Sequence, residues 1–374
     1  MIYRDFGSTG KKISLLGFGA MRLPEFEKNG KWYVDEDKSL EMTEYAFNHG
    51  VNYIDTAYMY CHHNSEEFVG KALKGRRDKV YVSTKLPLYA VDKASDFEKY
   101  FDEQMKNLDV DKIDFYHFHS IDQSKYDNKI KPFKLIDKIN RIKEQGLIGH
   151  ISFSFHGEIE LLKELIDSGD YETMLVQYNI IDTENEKLIK RARKKGVGTV
   201  IMGPVGGGRL EFPSEMVSDD RMKKFKNLPE MALRFVFANP NVDCAVSGMS
   251  TMEMVRENIN IVNNLKKFSA EEKELIKFYS TELEKLKEIY CTGCNYCTPC
   301  PNDVNIPLIF ENLIFYKVFG LESAAKNRYK LIGNSPWFTG KRADACEECG
   351  DCEPLCPQDI NIIEQLKETH KLLK

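Results

Sequence analysis

Val51-Asn-Tyr-Ile-Asp55-Thr-Ala-Tyr-Met-Tyr60 changes character half-way along its length. The first half is apolar and β-branched enough for a buried strand, and the second half places a carboxylate and two phenols where that strand should end. Comparable transitions recur down the chain: Lys85 follows Val80-Tyr-Val-Ser-Thr84, His119 follows Ile113-Asp-Phe-Tyr-His-Phe118, and Ser154 follows Ile151-Ser-Phe153. Gln177 then follows Met174-Leu-Val176, Pro204 follows Thr199-Val-Ile-Met-Gly203, and Ser247 follows Cys244-Ala-Val246. From Asp55 to Ser247 the gaps are 30, 34, 35, 23, 27 and 43 residues, room each time for a strand, a helix and two loops. Eight such units close into an α/β fold, the (β/α)8 TIM barrel, whose reactive groups gather at the carboxyl ends of the strands. Asp55, Lys85 and His119 are therefore expected at one mouth.

The chain has 374 residues and a mass of 43.2 kDa. One barrel takes ~250 residues, so roughly a hundred are left for a second domain. A hydrophobic content of 42% supports a full core, and a net charge of -5 gives no electrostatic reason to expect nucleic acid. The Met1-Ile-Tyr-Arg-Asp5 start lacks the pattern of a signal peptide, and no apolar run reaches the ~18 residues that span a bilayer. A soluble, cytoplasmic protein without membrane partners is expected. Of ten cysteines, Cys61 and Cys244 stand alone and eight fall after residue 290 in two tight groups. Cytosolic thiols stay reduced, so the grouping reads as metal ligation rather than disulfides.

Along the chain, Tyr3 to Met21 reads as a short hairpin leading into the first barrel strand. Helices are expected over about Ser39–His49, Glu66–Leu73 and Asp96–Leu108, and the stripe Leu135, Ile136, Ile139, Ile142 has helical period. The basic helix Glu186–Lys195 is expected to show a solvated outer face rather than an anion site. A longer loop beginning Gly206-Gly-Gly-Arg-Leu runs from residue 206 to 228, on the catalytic side of the seventh strand, where a loop can cover a cofactor. After a helix over Met252–Asn263, Ser269-Ala-Glu-Glu272 is a capping box opening another helix. The domain boundary is expected at residue 287, giving domains 1–287 and 288–374.

Reduction of a carbonyl by hydride leaves an alkoxide that must be protonated as it forms. A tyrosine can supply the proton, but its ordinary pKa of about 10 makes it a reluctant donor unless an adjacent ammonium depresses it. Lys85 can supply that ammonium, Asp55 can hold it charged and oriented, and His119 can donate a hydrogen bond to the carbonyl oxygen. Tyr60 would then be the acid, although Tyr58 and His117 are chemically equivalent neighbours of Tyr60 and His119.

Asp55-Thr-Ala-Tyr-Met-Tyr60, Ser83-Thr-Lys85 and Asp114-Phe-Tyr-His-Phe-His119 resemble the tetrad motifs of the aldo-keto reductase superfamily. Gly17-Phe-Gly-Ala-Met21 and Ser247-Gly-Met-Ser250 with Glu257-Asn258 are similar too, so the likeness covers roughly residues 1–265. The resemblance implies a barrel that binds a nicotinamide dinucleotide, NAD(H) or NADP(H), without a Rossmann fold. It makes Asp55, Tyr60, Lys85 and His119 the tetrad and puts Ser154 and Gln177 on the nicotinamide carboxamide. Met202, Gly203, Pro204, Gly248 and Asn258 complete the implied cofactor-binding set. Three positions depart from the family pattern: Cys61 replaces the glycine usual after the tyrosine, Phe155 an asparagine, and Met202 the aromatic that would stack on nicotinamide. Around Gly248, Met249 and Met254 the family's NADPH-binding members would place groups for the 2′-phosphate, and their absence favours NADH.

The first cysteine group is Cys291-Thr-Gly-Cys294-Asn-Tyr-Cys297-Thr-Pro-Cys300-Pro301. The second, Cys346-Glu-Glu-Cys349-Gly-Asp-Cys352-Glu-Pro-Leu-Cys356-Pro357, has the C-x-x-C-x-x-C-x-x-x-C-P run of two-cluster ferredoxins. Three thiolates at that spacing wrap three corners of a cubane, and the distant Cys-Pro supplies the fourth corner of the other cluster. One [4Fe-4S] cluster is thus expected on Cys291, Cys294, Cys297 and Cys356, and the other on Cys346, Cys349, Cys352 and Cys300. Only two residues, not three, separate Cys300 from Cys297, which makes Cys300 the irregular ligand. Two structural zinc sites are the alternative for such sets. The spacer between the groups resembles helical, ferredoxin-type domains attached to oxidoreductases.

The expected function is an oxidoreductase that reduces a small carbonyl, or oxidises the alcohol, coupled through two [4Fe-4S] clusters to ferredoxin or another one-electron partner. The alternative is an electron-transfer subunit whose barrel senses nicotinamide or docks a partner.

Overall fold

A computed structural model describes every residue except 181, 209–224, 226, 285–290, 292, 318–321 and 336–337. The chain divides into two compact units, Met1–Pro204 with Ala232–Lys267, and Val205–Met231 with Phe268–Lys374. Residue 287, where the boundary is expected, lies outside the described residues, as does most of the loop from 206 to 228. Among the described residues no helix is long and apolar enough to cross a membrane.

In the first unit a hairpin of β1 (Tyr3–Asp5) and β2 (Lys12–Ser14) precedes the first barrel strand, β3 (Leu16–Gly19). A second hairpin, β4 (Glu25–Lys28) and β5 (Lys31–Val34), stands on the loop after β3. Its two-residue turn is Asn29-Gly30, with φ of 54° and 74°, the pair that a mirror-image turn between antiparallel strands demands. The remaining barrel strands are β6 (Tyr53–Asp55), β7 (Tyr81–Leu86), β8 (Ile113–Ile121), β9 (Ile148–Phe155), β10 (Thr173–Gln177), β11 (Gly198–Met202) and β12 (Cys244–Gly248). With β3 they close in chain order, β12 pairing parallel with β3. The expected TIM barrel is the fold.

The barrel is filled rather than hollow. Phe6, delivered by the β1–β2 hairpin, lies 4.8 Å from the Phe115 ring and 6.1 Å from Tyr53. With Leu175, Val200 and Val246 these rings form an apolar plug, each fully buried large side chain contributing about 1.5–3 kcal/mol. Outside, the helices bury one stripe apiece. Asp96–Leu108 turns in Phe97, Phe101 and Leu108, and Glu186–Lys195 turns in Leu188, Ile189 and Ala192. On that basic helix Arg191 and Arg193 pair with Asp167 and Asp243, and Lys187, Lys190 and Lys194 are exposed, the solvated face expected.

The second unit contains the helices Ala270–Glu284, Ile306–Lys317, Glu322–Leu331 and Ile362–Leu373. The capping box is reciprocal: Ser269 N–H donates to Glu272 Oε2 at 2.8 Å, and Glu272 N–H donates to Ser269 Oγ at 3.1 Å. A small core of Ile309, Phe310, Leu313, Tyr329 and Leu366 joins the last three helices. The Tyr329 hydroxyl accepts the Ala343 N–H at 3.2 Å, fixing the segment just before Cys346.

Candidate active site and cysteine cavities

Register brings the expected tetrad together. Asp55 ends β6 opposite Ser83 of β7, and Lys85, two residues on, is opposite His117 of β8. Two residues is one step along the same face of a strand, so Asp55, Lys85 and His119 all project into the barrel mouth. The Lys85 ammonium donates to Asp55 Oδ2 at 2.7 Å, to the Thr56 carbonyl at 2.7 Å and to the Tyr60 hydroxyl at 3.4 Å. Its nitrogen is also 4.8 Å from the Tyr60 ring centre. Ser83 Oγ donates to the other Asp55 oxygen at 2.7 Å.

The lysine is only 1% exposed. Burial lowers its pKa, and Asp55 acts against that by favouring the ammonium. The His119 ring stands 6.3 Å from the Tyr60 ring at 83°. Burial, reinforced by Lys85, holds His119 well below the ordinary imidazole value, so it is neutral and still carries one N–H to donate. The competing residues do not take these places. The Tyr58 hydroxyl donates to Glu103 Oε1 at 3.1 Å, and its pKa is raised by burial and that bond. His117 is fully buried one step deeper in the strand and pushed down to about 4 by burial and Lys85.

A second layer of groups, absent from the motif, holds β7 from outside. Gln104 Nε2 donates to the Lys85 carbonyl at 3.0 Å and to the buried Glu66 carboxylate at 2.6 Å. Thr84 Oγ1 donates to the same Glu66 oxygen at 2.5 Å, and the Tyr116 hydroxyl donates to Gln104 Oε1 at 2.7 Å. Burial raises the Glu66 pKa despite these donors. A glutamate in the first turn of a helix reads in sequence as a dipole complement, which hides this role.

The implied dinucleotide set occupies the ends of four successive strands: Ser154 on β9, Gln177 on β10, Met202 on β11 and Gly248 on β12. Ser154 Oγ accepts the Ser120 N–H at 2.7 Å. Gly203, with φ of 60°, lies beside the Gln177 side chain, and its carbonyl accepts from Asn179 at 2.9 Å. Pro204 is buried, and Asn258 Nδ2 donates to Ser247 Oγ at 3.1 Å. A hydroxyl and a carboxamide on adjacent strand ends fit the hydrogen-bonding edge of a nicotinamide.

The expectation of NADH rests on residues near Gly248 in sequence, and the fold adds one from far away. The stem of Arg22 does run beside Gly248: a Cβ there would come within 3.2 Å of Arg22 Cδ. Arg22 comes from the loop after β3, 226 residues away in sequence, and reaches Gly248 because β12 pairs with β3. Arg256 instead sits over the Tyr45 ring at 5.5 Å, and Arg209 lies outside the described residues.

In the second unit the eight clustered thiols line two cavities. One is walled by Cys291, Cys294, Cys297 and Cys356 with Phe310 and Ile362. The other is walled by Cys300, Cys346, Cys349 and Cys352, with Cys297 on the shared side. Burial raises the Cys297 thiol, and Cys291, Cys294 and Cys356 raise it further. Burial also pushes Cys352 up to about 11, with smaller contributions from its neighbours, Cys346 and Cys349 among them. Thiols that oppose one another's ionisation are the donor set a cationic metal group would neutralise. Cys61 and Cys244 are buried in the first unit, apart from these groups.

Residues 15–278 match the Aldo/keto reductase family, and residues 290–363 match the 4Fe-4S dicluster domain. The chain belongs to the aldo/keto reductase family. It is similar to L-galactose dehydrogenase of Arabidopsis thaliana, 26% identical over 300 residues, which span 73% of this chain and 91% of that protein. An uncharacterized oxidoreductase of Bacillus subtilis, YqkF, is 26% identical over 293 residues, 70% of this chain and 90% of its own. Among solved structures, the holo form of aldo-keto reductase AKR11C1 from Bacillus halodurans superposes with a TM-score of 0.61 at 26% identity, covering 74% and 96% of the two chains. The protein is thus an oxidoreductase of this family with an added 4Fe-4S dicluster domain.

Proposed function

We propose that the barrel reduces a small carbonyl compound, or oxidises the corresponding alcohol, with Tyr60 as the proton donor. The observation that carries this reading is the buried Lys85 ammonium, shared between Asp55 at 2.7 Å and the Tyr60 hydroxyl at 3.4 Å. A nicotinamide dinucleotide bound along Ser154, Gln177, Met202, Gly203, Pro204, Gly248 and Asn258 would supply the hydride. As the carbonyl oxygen gains charge, the Tyr60 proton moves to it, and the adjacent ammonium stabilises the phenolate left behind. The neutral His119 donates its N–H to the same oxygen and orients it. Asp55, with Ser83 on its second oxygen, keeps Lys85 charged. Hydride from the bound dinucleotide and the Tyr60 proton together would convert C=O to CH–OH, the two electrons coming from the reduced nicotinamide.

We assign one [4Fe-4S] cluster to Cys291, Cys294, Cys297 and Cys356 and the other to Cys300, Cys346, Cys349 and Cys352, following the two cavities. Clusters of this kind carry single electrons, which makes ferredoxin or a similar carrier the natural partner. NADH remains the proposed dinucleotide because Arg22 already interacts within the protein. Tighter binding of NADPH in titration would mean that Arg22 turns to the 2′-phosphate. The deciding experiment is Tyr60→Phe: carbonyl reduction should fall by about 10²–10⁴-fold, with dinucleotide binding and iron content unchanged. Wild-type turnover in that variant would reject the assignment.

A further inference from the structure

The turn that follows Tyr60 is one that L-residues avoid. Cys61, His62 and His63 have φ of 50°, 51° and 69°, three successive non-glycine residues in the left-handed region, which such residues visit singly. A backbone of this kind persists only where its surroundings over-determine it. Cys61 is buried, its Sγ 3.5 Å and 3.7 Å from the carbonyl oxygens of Ala20 and Met21. His63 Nδ1 is 2.9 Å from the Tyr58 carbonyl oxygen. Asn64 Nδ2 donates to the carbonyls of Cys61 at 2.8 Å and His62 at 3.1 Å.

His62 is held from outside the turn. Its ring stacks on the Trp32 indole at 4.9 Å and 12°, and its Nδ1 is 2.9 Å from Glu25 Oε1. Asn64 Nδ2 reaches the Trp32 carbonyl as well, at 3.0 Å. Glu25 and Trp32 both belong to the β4–β5 hairpin. Trp32 is 43% exposed, so its ring contributes little to the core and is spent on this contact. On the far side, Ser65 N–H donates to the Tyr60 carbonyl at 3.3 Å, and Ser65 Oγ to the Ala20 carbonyl at 2.8 Å. The left-handed turn is therefore strung between Tyr60 and a fixed helix start that also bonds the Tyr60 carbonyl.

We propose that the β4–β5 hairpin is a clamp on this turn: Glu25 and Trp32 are positioning residues that keep His62 left-handed and so hold the Tyr60 hydroxyl against Lys85. The proposal rests on Tyr60 being the proton donor. Small displacements of a reacting group cost large factors in rate, whereas substrate binding need not change.

The test is a double-mutant cycle of Trp32→Ala and His62→Gly, with Tyr60→Phe as control, assayed with para-nitrobenzaldehyde and NADH or NADPH. Trp32→Ala should lower kcat about tenfold, equivalent to about 1.4 kcal/mol, with KM for the aldehyde within about twofold. Adding His62→Gly should recover most of that loss, because glycine takes the left-handed conformation without a clamp; simple damage to the fold would not be rescued. The same cycle read by thermal midpoint needs no substrate: His62→Gly should stabilise the Trp32→Ala protein more than it does the wild type. Should Trp32→Ala fail to accumulate, Trp32→Leu keeps apolar bulk without the ring face and serves the same cycle. Wild-type kcat in the Trp32 variant, or additive midpoints, overturns the clamp. Turnover surviving Tyr60→Phe overturns the donor assignment beneath it.

Discussion

The barrel and the cysteine-bearing unit arrange their reactive groups in opposite ways. In the barrel, the tetrad is fixed by the protein itself: Lys85 has three acceptors, Asp55 has two donors, and Gln104 and Glu66 hold the strand behind them. In the second unit the eight thiols face cavities, where burial and the neighbouring Cys291, Cys294 and Cys356 oppose ionisation of Cys297, with a core of a dozen or so apolar side chains to hold them. The barrel tetrad is held by side chains of the protein alone. The cysteine sites would be completed by a bound metal group, because a small core stabilises little and metal binding supplies folding free energy.

The largest effect should therefore follow loss of metal. Anaerobically purified protein should hold about eight iron and eight sulfide. Stripping them should accelerate amide exchange across Ile306–Lys317 and Ile362–Leu373 while barrel strands stay protected. Unchanged protection in the stripped protein would break the contrast, and stoichiometric zinc without sulfide would replace the clusters altogether.

Next comes Lys85→Met, which leaves the Asp55 charge buried without its partner. Removing one member of a buried pair costs about 3–5 kcal/mol, so urea unfolding of the barrel should weaken by that order and turnover should be lost. Asp55→Asn added to it should restore much of the stability and none of the activity. A smaller effect is expected from Gln104→Leu, which strips donors from Glu66 and from the Lys85 carbonyl. About 1–3 kcal/mol of stability and a few-fold in kcat should go, and a change in KM alone would show that the network supports something other than Lys85.

The smallest effect lies far from the mouth. Glu172 is opposed by burial, yet bonds from His150 at 2.7 Å, from Lys143 and from the Ile151 N–H at 3.2 Å bring its pKa down from 4.5 to about 2. A carboxylate with a depressed folded pKa stabilises above the ordinary value and loses that contribution as pH falls toward the folded one. Allowing for its partial exposure, Glu172→Gln should cost about 1–2 kcal/mol at pH 7. The difference should shrink between pH about 4.5 and 2, and a constant difference would assign the loss to packing.

What was legible in the sequence follows from this geometry. Asp55, Lys85 and His119 could be read because each closes an apolar run with a polar group, a local signal that the barrel turns into proximity. The alternating cysteines were legible because ligand spacing is itself local. Arg22 beside Gly248 was not, since only the closure of β12 on β3 joins positions at opposite ends of the barrel sequence. The β4–β5 hairpin had its signal in Asn29-Gly30, but its strands are charged and half exposed, so neither shows the alternation of a buried strand. Cys61 was visible as a departure from glycine; that it adopts a left-handed conformation, at φ of 50°, required the structure.

Lys85 has a consequence beyond tuning a phenol. A free amine beside an aldehyde condenses with it to an imine, and an enzyme that admits aldehydes must prevent its own lysine from being consumed in that way. Here the ammonium nitrogen has oxygens of Asp55, Thr56 and Tyr60 within 3.4 Å as acceptors, and the lysine is almost wholly enclosed. The contacts that aim the charge at Tyr60 would also keep the amine from attacking a carbonyl compound at the mouth.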